Sequence, residues 1–301
     1  MKHVTNLFEP LQIPACVTFG HFDGMHLGHQ AVIEKLCAHL DLMPVLLSFE
    51  ETEKPVVYTE SEKEYLLEGS GVERMVSMPA AEMEAMDAET FARDILAKAL
   101  HAKTVVVGEN LVFGSDAKDA TDLAALGAVY GFTVETVPTV CFAGKPVSTQ
   151  GIKDAIQDMD FPRMRELLGR TYIMQGVVVH GKAAGRKHGM PTANLGVAPN
   201  KIFPPHGVYG TLSHMDGKYY RGMTNIGLRP SDDDIPIATV ETFLLNFDQD
   251  IYGRSVILEV FVYIRGVKKF AGGLDEVRKQ IDKDIEQVRA YMDEVIRKLE
   301  A

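Results

Sequence analysis

The chain has 301 residues, 46% of them hydrophobic and 24% charged, a globular composition long enough for two domains rather than one. Its formal charge of −11, with basic residues scattered among acids, argues against nucleic acid as a partner. No run approaches the roughly 18 apolar residues of a membrane span, and "MKHVTNLFEP" lacks the apolar core of an export signal, so a cytoplasmic protein with no membrane partner is expected.

In chain order, "ACVTFG" (15–20) predicts a buried strand, "GHQAVIEKLCAHL" (28–40) an amphipathic helix and "MPVLLSF" (43–49) the next strand. The alternation continues with a helix over 60–71, a strand over 72–78, a capped helix over 87–100 and a buried strand over 103–108. Such β-α-β order predicts an α/β fold with a parallel sheet and helices on both faces. A linking helix is expected over 156–170. From Tyr172 strands dominate, Asp216-Gly217 marks a hairpin, and no crossover helices intervene, so an antiparallel sheet or small barrel is predicted. Leu274, Val277, Ile281, Ile285, Val288, Met292, Ile296 and Leu299 recur at three- and four-residue spacing, which predicts a long helix packed on the barrel. The expected divisions are a domain over 1–155, the linker helix over 156–170 and a second domain over 171–301. Cys16, Cys37 and Cys141 are odd in number and widely spaced, as reduced thiols would be.

"GHFDGMHLGH" (20–29) falls between a predicted strand and a predicted helix. Nucleotides bind at such strand-to-helix junctions, where helix-start amides meet anionic oxygens. Gly20, Gly24 and Gly28 let the backbone turn and approach a ligand closely, and a helical turn would put His26 and His29 on one face. A zinc pair is the competing reading, but no third ligand stands at a convincing spacing. A mere tight turn is the other, and the phosphate cradle is preferred.

"VVHGKAAGRKHGMPTANL" (178–195) interleaves Gly181, Gly185 and Gly189 with Lys182, Arg186 and Lys187. This is a flexible basic loop suited to phosphates, unless the glycines merely serve a barrel hairpin. Thr192 and Asn194 stand two apart on a predicted strand and point the same way, offering two hard oxygens that suit Mg²⁺ beside nucleotide phosphates.

Together these motifs resemble the bacterial bifunctional riboflavin kinase/FAD synthetase family. The first is similar to that family's nucleotidyltransferase signature, and the second closely resembles its kinase signature G-x-x-x-G-R-x-x-G-x-P-T-A-N. "VVVGENLVFG" (105–114), "VSTQGIKDAI" (147–156), "MTNIGLRPS" (223–231), "VETFLLNFDQDIYG" (240–253) and "VFVYIRGVKKF" (260–270) follow in the family's order. The resemblance implies a Rossmann-like nucleotidyltransferase domain, then a β-barrel riboflavin kinase domain with a long C-terminal helix. It implies riboflavin, FMN and FAD as substrates and products, ATP as co-substrate and Mg²⁺ as cofactor. By the same resemblance, His26 and His29 would stabilise transition-state charge, while Gly20, Phe22, Asp23, Gly24, Gly28, Asn110, Ser148, Thr149 and Lys153 would hold the nucleotide. In the kinase half, Gly181, Lys182, Gly185, Arg186 and Gly189 would bind ATP phosphates, Thr192 and Asn194 the metal, and Asn225, Arg229, Tyr252 and Arg265 the flavin. Glu241 would be the general base. Gly151 stands where the family's phosphate loop has its first arginine, and Phe243 where the kinase has a histidine after its glutamate. Two alternatives stay open: a kinase whose N-terminal domain is weakened or repurposed, and a non-catalytic flavin-binding regulator.

Overall fold

The continuous apolar runs of the first half form buried parallel strands, as strands covered on both faces must. The computed structural model describes residues 1–5, 10–180, 192–229, 237–267 and 273–299. Its elements fall in two compact units, Met1–Ile152 with Glu166–Gly169, and Lys153–Arg165 with Arg170–Ala301.

In the first unit, β1 (Lys2–Val4), β2 (Ala15–Gly20), α1 (Leu27–Cys37), β3 (Met43–Glu50), α2 (Glu60–Leu67) and β4 (Arg74–Pro79) lead to α3 (Ala80–Ala85) and α4 (Ala88–Thr90). A π-helix, Phe91–Ala99, continues α4 where an α-helix is expected. Then come β5 (Ala102–Gly108), α5 (Ala120–Tyr130), β6 (Thr133–Val137) and the short pair β7 (Cys141–Phe142) and β8 (Lys145–Pro146). The main sheet is parallel throughout, in the order β1-β4-β3-β2-β5-β6. From β2 the chain builds outward through β3 and β4, then returns to the other side for β5 and β6. The order therefore reverses between β2 and β5, and the crevice beyond their carboxyl ends is where such sheets bind ligands.

The expected helix over 156–170 is two helices, α6 (Thr149–Gln157) and α7 (Phe161–Leu168). Met159 takes a left-handed conformation, with φ of 56°, which ends α6. Asp160 starts the second helix by accepting from the Arg163 amide at 3.1 Å.

In the second unit, β9 (Tyr172–Val179), β10 (Thr192–Val197), β11 (Gly207–Met215), β12 (Lys218–Arg229), β13 (Ile237–Leu244) and β14 (Ser255–Arg265) close into an antiparallel barrel. Asp216 and Gly217 join β11 to β12 with φ of 51° and 72°, the doubly left-handed turn that matches strand twist. Thr211, Thr224 and Thr242 are fully buried and chain together at 2.8 and 2.9 Å, so that face of their strands looks into the barrel. The opposite face carries α8 (Gly273–Leu299), whose Val288 and Met292 cluster with Leu212, Leu245 and Phe261.

Gly127 of α5 tests how closely the first unit is packed. A Cβ there would lie 2.5 Å from the Phe132 carbonyl oxygen and 2.9 Å from its ring. Alanine ordinarily stabilises a helix over glycine by roughly 0.5–1 kcal/mol, but here overpacking against backbone is expected to reverse the sign. Gly127→Ala should cost about 1–3 kcal/mol, seen as a lower urea midpoint for the first unit. A raised midpoint would show that helix propensity wins.

Candidate functional site

The turn from β2 into α1 is made with left-handed backbone at Gly20 (φ 146°), Phe22 (48°), Gly24 (88°) and Met25 (43°). His26 then caps α1, its Nδ1 accepting from the His29 amide at 3.2 Å. A neutral imidazole whose Nδ1 is an acceptor carries its proton on Nε2. Burial pushes the His26 pKa down to about 4 and drives that of His29 well below the usual range. The two rings stack with centroids 3.6 Å apart and 13° between planes. Stacked rings send their lone pairs along parallel planes, not toward one ion, which disfavours the zinc reading. Gly28 permits the stack, because a Cβ there would sit 3.1 Å from the His26 ring.

Gly20, Phe22, His26, Gly28, His29 and Asn110 line one cavity of about 270 Å³, completed by the ends of β5 and β6 at Gly108 and Val137. This is the crevice at the order reversal. Asp23 and Gly24 do not line it. Asp23 instead accepts from the Val57 and Tyr58 amides at 2.7 and 3.1 Å, and its carbonyl accepts from Thr149 Oγ1 at 2.8 Å. Gly24 packs where a Cβ would come within 2.9 Å of Ile152. Ser148 Oγ accepts from the Gly151 amide at 3.2 Å at the start of α6, and Lys153 belongs to the second unit. Asp23, Gly24, Ser148 and Thr149 thus hold the turn and the start of α6 rather than the cavity wall.

A second cavity, of about 320 Å³, adjoins the first along Phe19, Gly20, His21 and Leu111, and Phe49, Phe91 and Phe113 make it aromatic. Phe19 stands 4.8 Å from Phe91 and 5.7 Å from Phe113, ring centre to ring centre. Its rings come from elements far apart in sequence, and of its wall the motifs mark only Gly20, His21 and the 111–114 segment.

In the barrel, Asn194 of β10 pairs with Glu241 of β13, and Glu241 pairs with Asn225 of β12. Directly opposed residues of antiparallel strands share a face. Thr192, two residues before Asn194, joins them. Since Thr242 points inward, the Glu241 row lies on the outer face, the one that carries α8. A hydroxyl and an amide oxygen beside a carboxylate fit Mg²⁺, which takes hard oxygens and keeps other positions for water and phosphate. Thr192 and Tyr252 line a further cavity of about 380 Å³ with the 247–251 loop, and the Tyr252 ring lies 3.8 Å from that of His180. Arg265 is on the same face, but its Nε and Nη2 donate to Asp284 of α8 at 2.8 and 2.7 Å. It secures the helix in this structure. Arg229 ends β12, with its side chain outside the described residues, as are Gly181, Lys182, Gly185, Arg186 and Gly189.

Polar groups suited to phosphate chemistry thus occur on two unrelated frames, a parallel sheet and a closed barrel, which defines a two-site nucleotide-handling transferase. Comparison with known proteins makes the class specific. A family model for FAD synthetase matches residues 9–151 and one for riboflavin kinase matches 168–292. The bifunctional riboflavin kinase/FMN adenylyltransferase of Haemophilus influenzae is 31% identical over 91% of this chain and 93% of its own. That of Escherichia coli K12 is 31% identical over 94% and 95%. A crystal structure described as a macrolide-efflux protein from Streptococcus pneumoniae matches with a TM-score of 0.79 at 30% identity, over 96% of this chain and 98% of the other. The chain belongs to the bifunctional riboflavin kinase/FMN adenylyltransferase family. Among the described residues no helix is long and apolar enough to cross a membrane.

The buried histidines make stability depend on pH. Folded His26 titrates at about 4 against 6.5 for an unrestrained imidazole, so between these values the unfolded chain binds the extra proton. Its contribution is complete above pH 6.5 and is lost as pH falls toward 4, by up to about 3 kcal/mol at 1.36 kcal/mol per unit. The urea midpoint of the first unit should fall over this interval, and His26→Gln should flatten the fall. An NMR titration of His26 centred near 6.5 would contradict it.

Proposed function

We propose that the chain makes FMN from riboflavin in the barrel and FAD from FMN in the α/β unit, using one ATP for each step. Family membership makes it an enzyme of flavin-nucleotide biosynthesis. The observation that carries the kinase assignment is the register Asn194–Glu241–Asn225, which puts a carboxylate between two amide side chains on the outer face. Glu241 accepts the proton of the ribityl 5′-hydroxyl as that oxygen attacks the γ-phosphorus of ATP and ADP departs. Mg²⁺, held by Thr192 and Asn194, supplies charge neutralisation to the phosphates when bound. Asn225 and Arg229 contact the flavin, Tyr252 and Thr192 border the neighbouring cavity, and Gly181, Lys182, Gly185, Arg186 and Gly189 bind the nucleotide phosphates.

In the α/β unit, the ATP phosphates occupy the cavity of His26 and His29, and the flavin ring the adjoining aromatic cavity. An FMN phosphate oxygen attacks the α-phosphorus and pyrophosphate leaves. His26 donates from Nε2–H, and the first amides of α1 point at the same anion. Neutral donors fixed in a dry cradle lose little to solvent reorganisation as charge develops. The functional divisions follow as an adenylyltransferase domain over 1–155, a linker over 156–170 and a kinase domain over 171–301, acting in the cytoplasm on small molecules and not on nucleic acid.

A narrower reading, kinase activity with an N-terminal unit that only binds nucleotide, is favoured by Gly151 in place of an arginine, because glycine offers no bidentate phosphate clamp. Product analysis separates the readings. Riboflavin with Mg-ATP should yield FMN and then FAD on a chromatogram, whereas FMN accumulating alone would support the narrower one. Glu241→Gln should cut FMN formation by about 10²–10⁴-fold while supplied FMN is still converted to FAD. His29→Ala should do the reverse. Unchanged FMN formation in Glu241→Gln would remove the base assignment.

A further inference from the structure

Behind the cradle lies a buried cation that no motif announces. Lys63 of α2 is 2% exposed, and its Nζ donates to the His21 carbonyl at 2.6 Å, Glu60 Oε1 at 2.6 Å and Ser48 Oγ at 3.1 Å. Three bonds occupy all three ammonium protons, so Lys63 has no donor left for a ligand. Its partners are themselves fixed. Ser48 Oγ donates to Glu60 Oε1 at 3.0 Å, and Ser77 Oγ donates to Glu60 Oε2 at 2.6 Å. Ser48 and Ser77 are paired across β3 and β4, and Ser48 is also paired with Gly20 of β2.

A buried ion pair is weak support for a fold, because apolar side chains of similar volume usually serve as well or better. What Lys63 holds suggests another reason for it. The His21 carbonyl lies between Gly20 at φ 146° and Phe22 at φ 48°, and Gly20 and His21 line both the histidine cavity and the aromatic cavity. A change in this peptide's direction would move the wall common to both.

We propose that Lys63 is a positioning residue for adenylyl transfer: through the His21 carbonyl it fixes the backbone that separates the two cavities, and so sets the approach of the flavin phosphate to the nucleotide. The inference rests on the reading of this unit as the FAD-forming site. Lys63 acts without touching either substrate. Its charge also helps keep His29 neutral, after the larger effects of burial and of His26.

The test uses the full-length protein with FMN and Mg-ATP, varying each substrate in turn. A misplacement of about 1 Å costs on the order of 10²-fold in rate, so Lys63→Met should lower kcat for FAD formation by about that factor. KM for both substrates should stay within about threefold, since no contact to either is removed. Riboflavin phosphorylation by the same preparation should be unchanged, and Lys63→Arg, which keeps a cation and donors, should regain part of kcat. Urea unfolding of each variant shows whether the first unit is folded at the assay temperature. Wild-type kcat in Lys63→Met overturns the proposal, as does a loss that merely tracks unfolding or appears wholly in KM. If the wild-type chain itself forms no FAD, the adenylyl-transfer reading falls and takes this role with it; if it does, only the role of Lys63 is at stake.

Discussion

The α/β site depends on one backbone constraint, the reversal between β2 and α1. Phe22 and Met25 take left-handed conformations within it, as do Gly20 and Gly24, and non-glycine residues hold such conformations only where the surroundings over-determine them. Here the surroundings do. Asp23 binds the two amides before α2, Thr149 binds the Asp23 carbonyl, Lys63 binds that of His21, and Gln30 Nε2 donates to that of Met25 at 2.8 Å. Holding the turn this tightly brings the helix start against the strand end, which is why His26 can both cap α1 and stack on His29.

The same compactness decides the electrostatics. The chain has a formal charge of −11, and the wall of the histidine cavity carries neutral imidazoles together with the carboxylate of Glu109. Desolvation makes the imidazoles neutral and strengthens any hydrogen bond made inside the cavity relative to one in water. The barrel row reaches a similar end with amide and hydroxyl oxygens beside one carboxylate. The buried cation close to the cradle, Lys63, is matched by Glu60.

Much of this was legible in the sequence, for identifiable reasons. Buried parallel strands are continuous apolar runs, so β2, β3 and β5 were plain, while β1 has three residues and β6 is polar and half-exposed. The π-helix was invisible because its apolar spacing resembles that of an α-helix. His26 and His29 were placed by spacing alone, but the spacing could not tell that Asp23 and Gly24 face away from the cavity. A loop residue's direction depends on what the rest of the chain offers it, here the amides of Val57 and Tyr58. The aromatic cavity is assembled from β2, β3, the π-helix and the 111–114 segment, and Arg265 pairs with Asp284 of a helix that begins eight residues after it. Neither meeting leaves a local pattern.

Where the chain departs from its family's motifs, the structure separates frame from ligand surface. The frame of the turn is intact: Asp23 and Thr149 keep their hydrogen bonds, Gly24 and Gly28 leave little room for a Cβ, and Gly20 has a φ of 146° that suits glycine. The departures lie elsewhere. Phe243 is on the outer barrel face, packed against the cluster under α8. Gly151 is at the start of α6, where a Cβ would meet only ordinary contacts at 3.5 and 3.7 Å. No packing requirement therefore demands glycine there, and the missing arginine subtracts a possible phosphate contact without loosening the cradle. Changes of this kind lie outside the hydrogen bonds that hold the turn carrying His26 and His29.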